Sequence, residues 1–256
     1  MFAGDYARGE LIEPHAHELA QIVFARRGVM QVQTEAGAWV VPPERAIWMP
    51  AGIVHWIRCV TAVAMRSVYV AIPTGRTDRA VPAVLGVSPL LRAVILRLVE
   101  GGPGDRSALL TVLAGEVEAV PAAPLHLPEP RDPRLRRLCA ALRADPGGTA
   151  SLPALARAAG GSERTMMRLF ATETGMTFRA WQRRLRFLAA LERLAAGEPV
   201  TRVALELGYA GPSAFIASFK RTLGATPARY FRGAPDASAV TPARTASSPR
   251  ARPGKE

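Results

Sequence analysis

The chain has 256 residues, and its hydrophobic content of 49% is enough for one large or two ordinary packed domains, which excludes a disordered protein. No run of about 18 apolar residues occurs, and the N-terminus MFAGDYARGE lacks the order of a secretion signal, so we expect a cytoplasmic protein without a membrane partner. Residues 1–130 carry 11 Arg against 12 acidic residues, whereas residues 131–256 carry 22 basic residues against 9 acidic ones. This asymmetry indicates that only the second half meets a polyanion such as nucleic acid.

The first part of the chain, from Ile12 to Ile72, consists of short apolar or alternating runs broken by Gly and Pro. This pattern predicts several β-strands joined by tight turns. The segment PHAHELAQIVFARRG places His15 and His17 two residues apart, and Gln21 keeps the same parity. Since alternate residues of a strand share a face, these three side chains are expected to point together. The segment PAGIVH supplies a third histidine, His55, after a turn.

Two interpretations of these histidines follow from their chemistry. Three converging neutral imidazoles, with the Gln21 amide as a weak fourth ligand, suit a divalent transition metal. Alternatively, the histidines form hydrogen bonds and line an apolar pocket with large neighbours, which are Trp39, Trp48, Met49 and Trp56. The residues leave both interpretations open. The candidate metal ligands are His15, His17, Gln21 and His55.

The hydrophobic period changes in the middle of the chain. The runs SPLLRAVILRLVEGG and RSALLTVLAGEVEAV predict two helices within residues 84–120. Proline then stands at five positions between Pro121 and Pro133, which predicts an extended connector over residues 121–132 and a domain boundary there. We expect His126, within this connector, to be exposed and without a role.

Beyond the connector, residues 133–232 carry a helical pattern that contains a repeat. The two copies are LARAAGGSERTMMRLFATETGMT and VALELGYAGPSAFIASFKRTLGATP. Each is predicted to be a helix-turn-helix unit in which Gly ends the first helix and a serine, Ser162 or Ser213, caps the second. Residues 233–256 lose nearly all large apolar side chains and are predicted to be disordered.

With both copies in place, residues 133–232 resemble the DNA-binding domain of the AraC/XylS family of transcription regulators, most closely in VALELGYAGPSAFIASFKRTLGATPARYFR. The resemblance implies that each second helix enters one of two successive major-groove segments. It places Arg164, Met167 and Arg168 of the first copy toward DNA, with Ser162 and Glu163 at the helix start. Arg can pair with guanine through two hydrogen bonds, or contact phosphate instead.

The second copy departs from the family, because Ala217 stands where the recognition helix often bears Arg. We therefore expect the first copy to read the base sequence and the second mainly to clamp the backbone and sense DNA shape. Additional contacts are expected near helix ends and on the bridging helix, so binding should weaken steeply with salt. These contacts are assigned to Arg183, Arg184, Arg202, Ser213, Lys220 and Arg221.

In the N-terminal half, HxHxxxQ followed by Gly, then PxGxxH, resembles the two motifs of the cupin barrel. Gln21 stands where a metal-binding cupin usually has Glu, and Glu44 where the second motif usually starts with Gly. Members of the regulator family often carry such a barrel, which binds a small effector, and WVVPPERAIWMPAGIVHWI resembles that sensor group. The resemblance implies a barrel over residues 1–75. Its effector-binding residues would be His15, His17, Gln21, Trp39, Trp48 and His55.

The sequence thus predicts an α+β multidomain protein, with an N-terminal cupin-like or jelly-roll-like β-barrel followed by an all-α domain with two helix-turn-helix motifs. We interpret it as a sequence-specific transcription regulator, an activator or a repressor, controlled by an effector and not an enzyme. Its predicted partners are double-stranded promoter DNA, a small-molecule effector, RNA polymerase and a second copy, with residues 84–120 mediating dimerisation or coupling. A divalent transition metal in the barrel is the one cofactor considered.

Two alternatives remain at this stage. A metal-dependent cupin enzyme, an oxygenase or isomerase with an appended basic domain, would show tightly bound metal and turnover. The missing carboxylate at Gln21 speaks against it. A nonspecific nucleic-acid-binding protein would bind random and cognate DNA alike, and the paired helix-turn-helix units argue against it.

Overall fold

The computed structural model describes residues 1–71, 80–119 and 122–232. The strands are β1 (Phe2–Tyr6), β2 (Leu11–His15), β3 (Ala20–Arg27), β4 (Met30–Thr34), β5 (Gly37–Val41), β6 (Arg45–Met49), β7 (His55–Cys59), β8 (Val63–Val70), β9 (Ala83–Gly86), β10 (Ala122–Ala123) and β11 (His126–Pro128). The helices are α1 (Pro89–Glu100), α2 (Arg106–Ala119), α3 (Pro133–Ala144), α4 (Leu152–Ala158), α5 (Glu163–Thr174), α6 (Phe178–Ala195), α7 (Val200–Glu206), α8 (Pro212–Leu223) and α9 (Pro227–Arg232). Every described helix is too short or too polar to cross a lipid bilayer.

The strands form two antiparallel sheets that face each other. The first has the order β1-β8-β3-β6-β9-β10, and the second has the order β11-β5-β4-β7-β2. Alternation along β3 divides its side chains: Val23 and Ala25 belong to the core between the sheets, whereas Ile22 and Phe24 belong to a separate core with α1 and α2. The first sheet is therefore buried on both faces. The predicted fold class, a jelly-roll-like β-domain followed by a helical domain, is confirmed.

The segment predicted to be an extended connector is partly built into the sheets. Strand β10 pairs with β9, and β11 pairs with β5, where His126 lies opposite Trp39. Proline is tolerated here because β11 is the edge of its sheet and Pro128 is its last residue. The prediction that His126 is exposed is wrong, because its ring stacks on Trp39 with centroids 4.2 Å apart. The tail predicted to be disordered lies outside the described residues.

The helical domain is organised around α6, which packs against both α5 and α7. Its core contains fully buried aromatic rings from both repeat copies, including Phe170, Trp181, Phe215 and Phe219. Each copy turns sharply after its first helix at a glycine with left-handed backbone, at φ +83° in Gly160 and +71° in Gly208. A side chain with a Cβ would be strained there, which explains the glycine in both copies.

The five-stranded sheet turns its outer face toward α6. An ion pair joins Arg58 of β7 to Glu192 of α6 at 3.1 Å. Two further hydrogen bonds link α6 to β11: the Trp181 indole N–H donates to the Pro128 carbonyl at 3.0 Å, and the Arg184 guanidinium donates to the His126 carbonyl at 3.3 Å. The helical domain thus holds the backbone of an edge strand whose histidine ring lies inside the β-domain.

Candidate nucleic-acid interface and histidine cluster

The first helix-turn-helix unit consists of α4 and α5. Ser162 caps α5 as predicted, and its hydroxyl accepts a hydrogen bond from the Thr165 backbone N–H at 3.2 Å. Helical periodicity then divides the side chains of α5. One face is buried and consists of Met166, Leu169 and Phe170, and the other is exposed and consists of Glu163, Arg164, Met167 and Arg168.

The two arginines of α5 are free to meet a ligand. Within the described part of the chain, neither Arg164 nor Arg168 forms an ion pair with an acidic side chain. An unpaired guanidinium on an exposed helix can contact a phosphate or the edge of a guanine. Glu163 lies in the first turn, where a carboxylate interacts favourably with the helix dipole.

The second unit consists of α7 and α8, and the N-terminus of α8 differs from that of α5. The N-cap of α8 is Gly211, followed by Pro212 at the first helical position, and no side chain caps this helix. The prediction that Ser213 is the cap is wrong, because Pro212 occupies the first helical position, so Ser213 already lies within the helix. Ser213 is exposed beside Ala214 and Ala217, so the first two turns of this face are small and uncharged, whereas the exposed Lys220 and Arg221 follow in the last turn.

The other predicted DNA contacts differ in exposure and in whether their charge is already paired within the protein. Arg183, Lys220 and Arg221 are exposed. Arg202 is exposed but forms an ion pair with Glu206 at 2.9 Å. Arg184 is turned toward the β-domain, where it donates to the His126 carbonyl, so it does not face outward as the phosphate-contact prediction requires. The prediction depended on helix position alone and missed the packing of α6 on β11.

The sequence prediction missed several exposed basic residues, and two of them lie close to the first helix-turn-helix unit. Arg157 lies in the last turn of α4, and Arg179 is the second residue of α6, directly after the first helix-turn-helix unit. Neither forms an ion pair within the described residues. The sequence could have indicated them as basic residues at exposed helix positions in a strongly basic half of the chain.

The three predicted histidines of the β-domain do lie together. The ring centroid of His15 is 4.8 Å from that of His17 and 4.4 Å from that of His55, and the last two are 5.5 Å apart. His15 and His55 are register partners of β2 and β7, whereas His17 lies just beyond the end of β2. Their potential ligand atoms all fall within 4.8 Å of one another.

Backbone carbonyls orient two of these rings. The Nδ1–H of His15 donates to the Glu13 carbonyl at 2.7 Å, and that of His55 donates to the Ile53 carbonyl at 2.9 Å. Because a carbonyl can only accept, Nδ1 carries the proton in both rings and Nε2 keeps its lone pair. Burial lowers the pKa of His55 to about 4 and also lowers the pKa of His17. Both rings are therefore neutral near pH 7, the form that binds metals.

Gln21 lies on the opposite sheet and is linked to the cluster through Tyr69. Its amide N–H donates to the Tyr69 hydroxyl at 3.2 Å, and the Tyr69 ring lies 4.8 Å from that of His17. The Gln21 Oε1, His17 Nε2 and His55 Nε2 atoms are buried without a partner among the described residues. Unpaired buried lone pairs are costly, and nitrogen and oxygen donors of this kind suit a transition-metal ion. The donor set thus fits a metal.

Comparison with known proteins agrees with this architecture. The family described as AraC-like ligand binding domain matches residues 3–159, and the one described as helix-turn-helix domain matches residues 155–233. The HTH-type transcriptional regulator NimR of Escherichia coli (strain K12) is 35% identical over 227 residues, which cover 86% of this chain and 83% of NimR. The chain belongs to the AraC family. It is a DNA-binding transcription regulator with an N-terminal ligand-binding domain.

Two further similarities are more limited. The E. coli (strain K12) bifunctional transcriptional activator/DNA repair enzyme Ada is 40% identical over 82 residues, which cover 32% of this AraC-family chain and 23% of Ada. The structure of ToxT from Vibrio cholerae covers 92% of this chain and 98% of its own, at 12% identity and a TM-score of 0.40. NimR is named as a regulator alone, and the likeness to Ada covers less than a quarter of that protein, which favours a regulator over the enzyme alternative.

Within this AraC-family ligand-binding domain, the predicted tryptophans do not gather around the histidines. Trp39 lies inside but stacks on His126, and Trp48 points to the other face of β6, into the core with α1 and α2. The expectation that Trp48 lines the pocket is wrong, because neighbouring Met49 already points inward and successive strand residues alternate. Trp56 lies on the outer face of its sheet, where its indole donates to Gln33.

Proposed function

We propose that a small effector bound between the two sheets controls how this AraC-family regulator binds promoter DNA. A set of buried polar atoms carries the proposal, because they face the space between the sheets and lack partners among the described residues. They are His17 Nε2, Gln21 Oε1, Trp39 Nε1, His55 Nε2, Ser67 Oγ and His126 Nε2. Each such atom left unpaired costs about 1–3 kcal/mol. A ligand that pairs with several of them stabilises the β-domain and is selected by their arrangement.

Strand β11 offers the route from this pocket to the DNA-binding units. Its His126 ring stacks on Trp39 inside the β-domain, while the carbonyls of His126 and Pro128 accept hydrogen bonds from Arg184 and Trp181 of α6. Because α6 packs against both helix-turn-helix units, a ligand that displaces β11 changes their placement. Binding of the effector and binding of DNA are then coupled: the factor by which the effector changes the DNA affinity equals the factor by which DNA changes the effector affinity.

We also infer that the regulator acts as a homodimer on promoter DNA and contacts RNA polymerase there. We assign the dimer contact to α1 and α2, where Leu90 is 52% exposed and Val112 is 40% exposed beside a shared groove. Apolar side chains exposed in this way favour association with another surface.

Sequence-specific binding is tested by fluorescence anisotropy on DNA flanking the protein's own gene and on scrambled DNA at physiological salt. We expect binding to the native sequence to be about a thousandfold tighter. Equal affinity for both DNAs would contradict specific recognition of that DNA.

Effector control is tested with a panel of small carboxylates, phenols and amines, ranked by the rise in unfolding temperature of the protein. A compound that stabilises the wild type should also change its DNA affinity. In Arg184→Ala the compound should still raise the unfolding temperature but lose its effect on DNA, whereas Arg183→Ala, at an exposed neighbour, should keep both effects. Stabilisation without any effect on wild-type DNA binding would contradict the coupling.

A further inference from the structure

The histidine cluster contains only uncharged donors. Its nitrogen donors are three imidazoles, and the nearest oxygen donors are the Gln21 amide and the Tyr69 hydroxyl. Among the described residues, no Asp or Glu belongs to the cluster. Glu13 and Glu18 are adjacent in sequence, but both are exposed, and Glu13 takes part through its backbone carbonyl. A divalent ion bound here would keep its full charge of about two units, because no protein carboxylate offsets it.

A charge of that size cannot stay uncompensated in this position. His55 is 1% exposed and Gln21 is 4% exposed, whereas His15 and His17 are half-buried, so solvent screens the buried part of the cluster poorly. The side chains that meet Gln21 across the sheet are Met49 and Tyr69, which bring no negative charge near pH 7. A buried ion is stable only when it is paired, so the missing charge has to come from a ligand.

We propose that His15, His17, His55 and Gln21 hold a divalent transition-metal ion, and that the effector is a small oxygen-donor anion that binds this ion and supplies its counter-charge. This assignment rests on the effector pocket proposed above and adds its chemistry. Suitable groups are a carboxylate, an enolate, a phenolate or a hydroxamate. Protein donors occupy four positions at most, so an ion that prefers five or six ligands keeps room for one or two oxygen atoms.

The hydrogen bonds around the cluster support this arrangement. The Nδ1–H groups of His15 and His55 donate to the carbonyls of Glu13 and Ile53, which leaves the Nε2 lone pair of each ring available to a metal. Such outer contacts orient metal-binding histidines in proteins. Tyr69 has a similar positioning role for Gln21, since its hydroxyl accepts the amide N–H, which leaves the buried Oε1 without a partner among the described residues. The donors are thus set in place without a carboxylate among them.

The test uses the full chain, stripped with a chelator and titrated with Co²⁺ alone, with the visible absorption of the ion as the readout. We expect one Co²⁺ per chain and loss of the absorption band in His15→Ala and His55→Ala. Glu18→Gln is the matched control, because this exposed carboxylate is adjacent in sequence to the cluster but does not belong to it. It should bind Co²⁺ like the wild type. Circular dichroism of each variant establishes that it is folded.

The counter-charge is tested by titrating the Co²⁺ protein with acetohydroxamate, an anionic oxygen chelator when bound, and with neutral acetamide. Acetohydroxamate should shift the Co²⁺ band saturably, and acetamide should not. Gln21→Glu supplies the missing carboxylate, so it should bind Co²⁺ more tightly and acetohydroxamate more weakly, each by about tenfold or more. Gln21→Ala removes a neutral donor, so it should lower the affinity for Co²⁺. It should not lower the preference of the Co²⁺ protein for acetohydroxamate over acetamide.

Two results would overturn the proposal. One is a folded wild-type protein that binds no stoichiometric Co²⁺. The other is a Co²⁺ protein that takes acetamide as well as acetohydroxamate, or whose anion affinity is unchanged in Gln21→Glu. Neither assay contains DNA. If they fail while a compound still changes DNA affinity, only the metal and its anion are withdrawn, and effector control stands.

Discussion

The two helix-turn-helix units are alike where they pack and unlike where they face outward. In each unit a small residue and an aromatic ring of the repeat are completely buried, namely Ala156 and Phe170 in the first and Ala204 and Phe219 in the second. The exposed face of α5 presents Arg164, Met167 and Arg168, whereas that of α8 presents Ser213, Ala214 and Ala217. A repeat can therefore keep one framework while its two copies meet DNA through different chemistry.

The shared framework predicts equal losses of stability. Phe170→Ala and Phe219→Ala should each lower the free energy of unfolding by about 3–5 kcal/mol, because each removes a fully buried ring and leaves a cavity. Urea denaturation followed by circular dichroism measures the loss. Met167→Ala, at a side chain that is 53% exposed, is the control and should change stability by no more than about 0.5 kcal/mol. A large loss of unfolding free energy in only one of the two variants would contradict the shared framework.

The exposed faces predict unequal losses of DNA recognition. Arg164→Ala and Arg168→Ala should each weaken binding to the native site by about 5- to 150-fold, because a two-hydrogen-bond Arg–guanine pair contributes about 1–3 kcal/mol. Binding to scrambled DNA should change less. Lys220→Ala in the second unit should weaken binding to the native site and to scrambled DNA by the same factor, as expected for a phosphate contact. If the arginine variants also weaken binding to both DNAs by the same factor, the first unit does not recognise bases.

The N-terminal caps of α5 and α8 predict a smaller difference, between the stability losses of two serine variants. Ser162→Ala should destabilise the protein by about 1 kcal/mol, because it removes the hydroxyl that caps α5. Ser213→Ala, its counterpart in the repeat, should stay within about 0.5 kcal/mol, since Gly211 is the N-cap of α8 and no side chain caps it. The same urea assay applies, and equal losses in the two variants would show that Ser213 caps α8 after all.

The smallest expected effect concerns two adjacent arginines of α6. Arg183 is exposed, so Arg183→Ala should reduce the slope of log affinity against log salt by about 0.9, the value for one lost phosphate contact. Arg184 donates to the His126 carbonyl, so Arg184→Ala should leave the slope unchanged. Anisotropy titrations at several salt concentrations measure both slopes, and a reduced slope in Arg184→Ala would place that side chain at DNA.

Much of this fold was predictable because it depends on residues close together in the chain. The spacing of Ala and Gly, the glycines that end the first helices and the Ser162 cap are local features, and they identify both helix-turn-helix units. The pairing of His15 with His17 was also local. The ring of His17 joins that of His15 even though β2 ends at His15, because a short connection keeps the two rings close.

Other features depended on contacts between distant segments. Both faces of the six-stranded sheet are covered, so β6 is almost wholly apolar, and its sequence does not show that Met49 faces the pocket while Trp48 faces α1 and α2. Likewise, Pro-rich residues became strand β11 only because β5 pairs with them. That pairing buries His126 against Trp39.

The sequence by itself determined the helical repeat, the strand-rich first half and the three histidines, since turns, caps and periodicity act over a few residues. The tertiary structure alone decided which faces are covered, where Arg184 points and that Gln21, on the opposite sheet, hydrogen-bonds to the Tyr69 hydroxyl beside His17. These outcomes follow from long-range strand pairing and from the packing of α6 on the β-domain. Both depend on how separate segments bury their surfaces together, and neither leaves a local pattern in the chain.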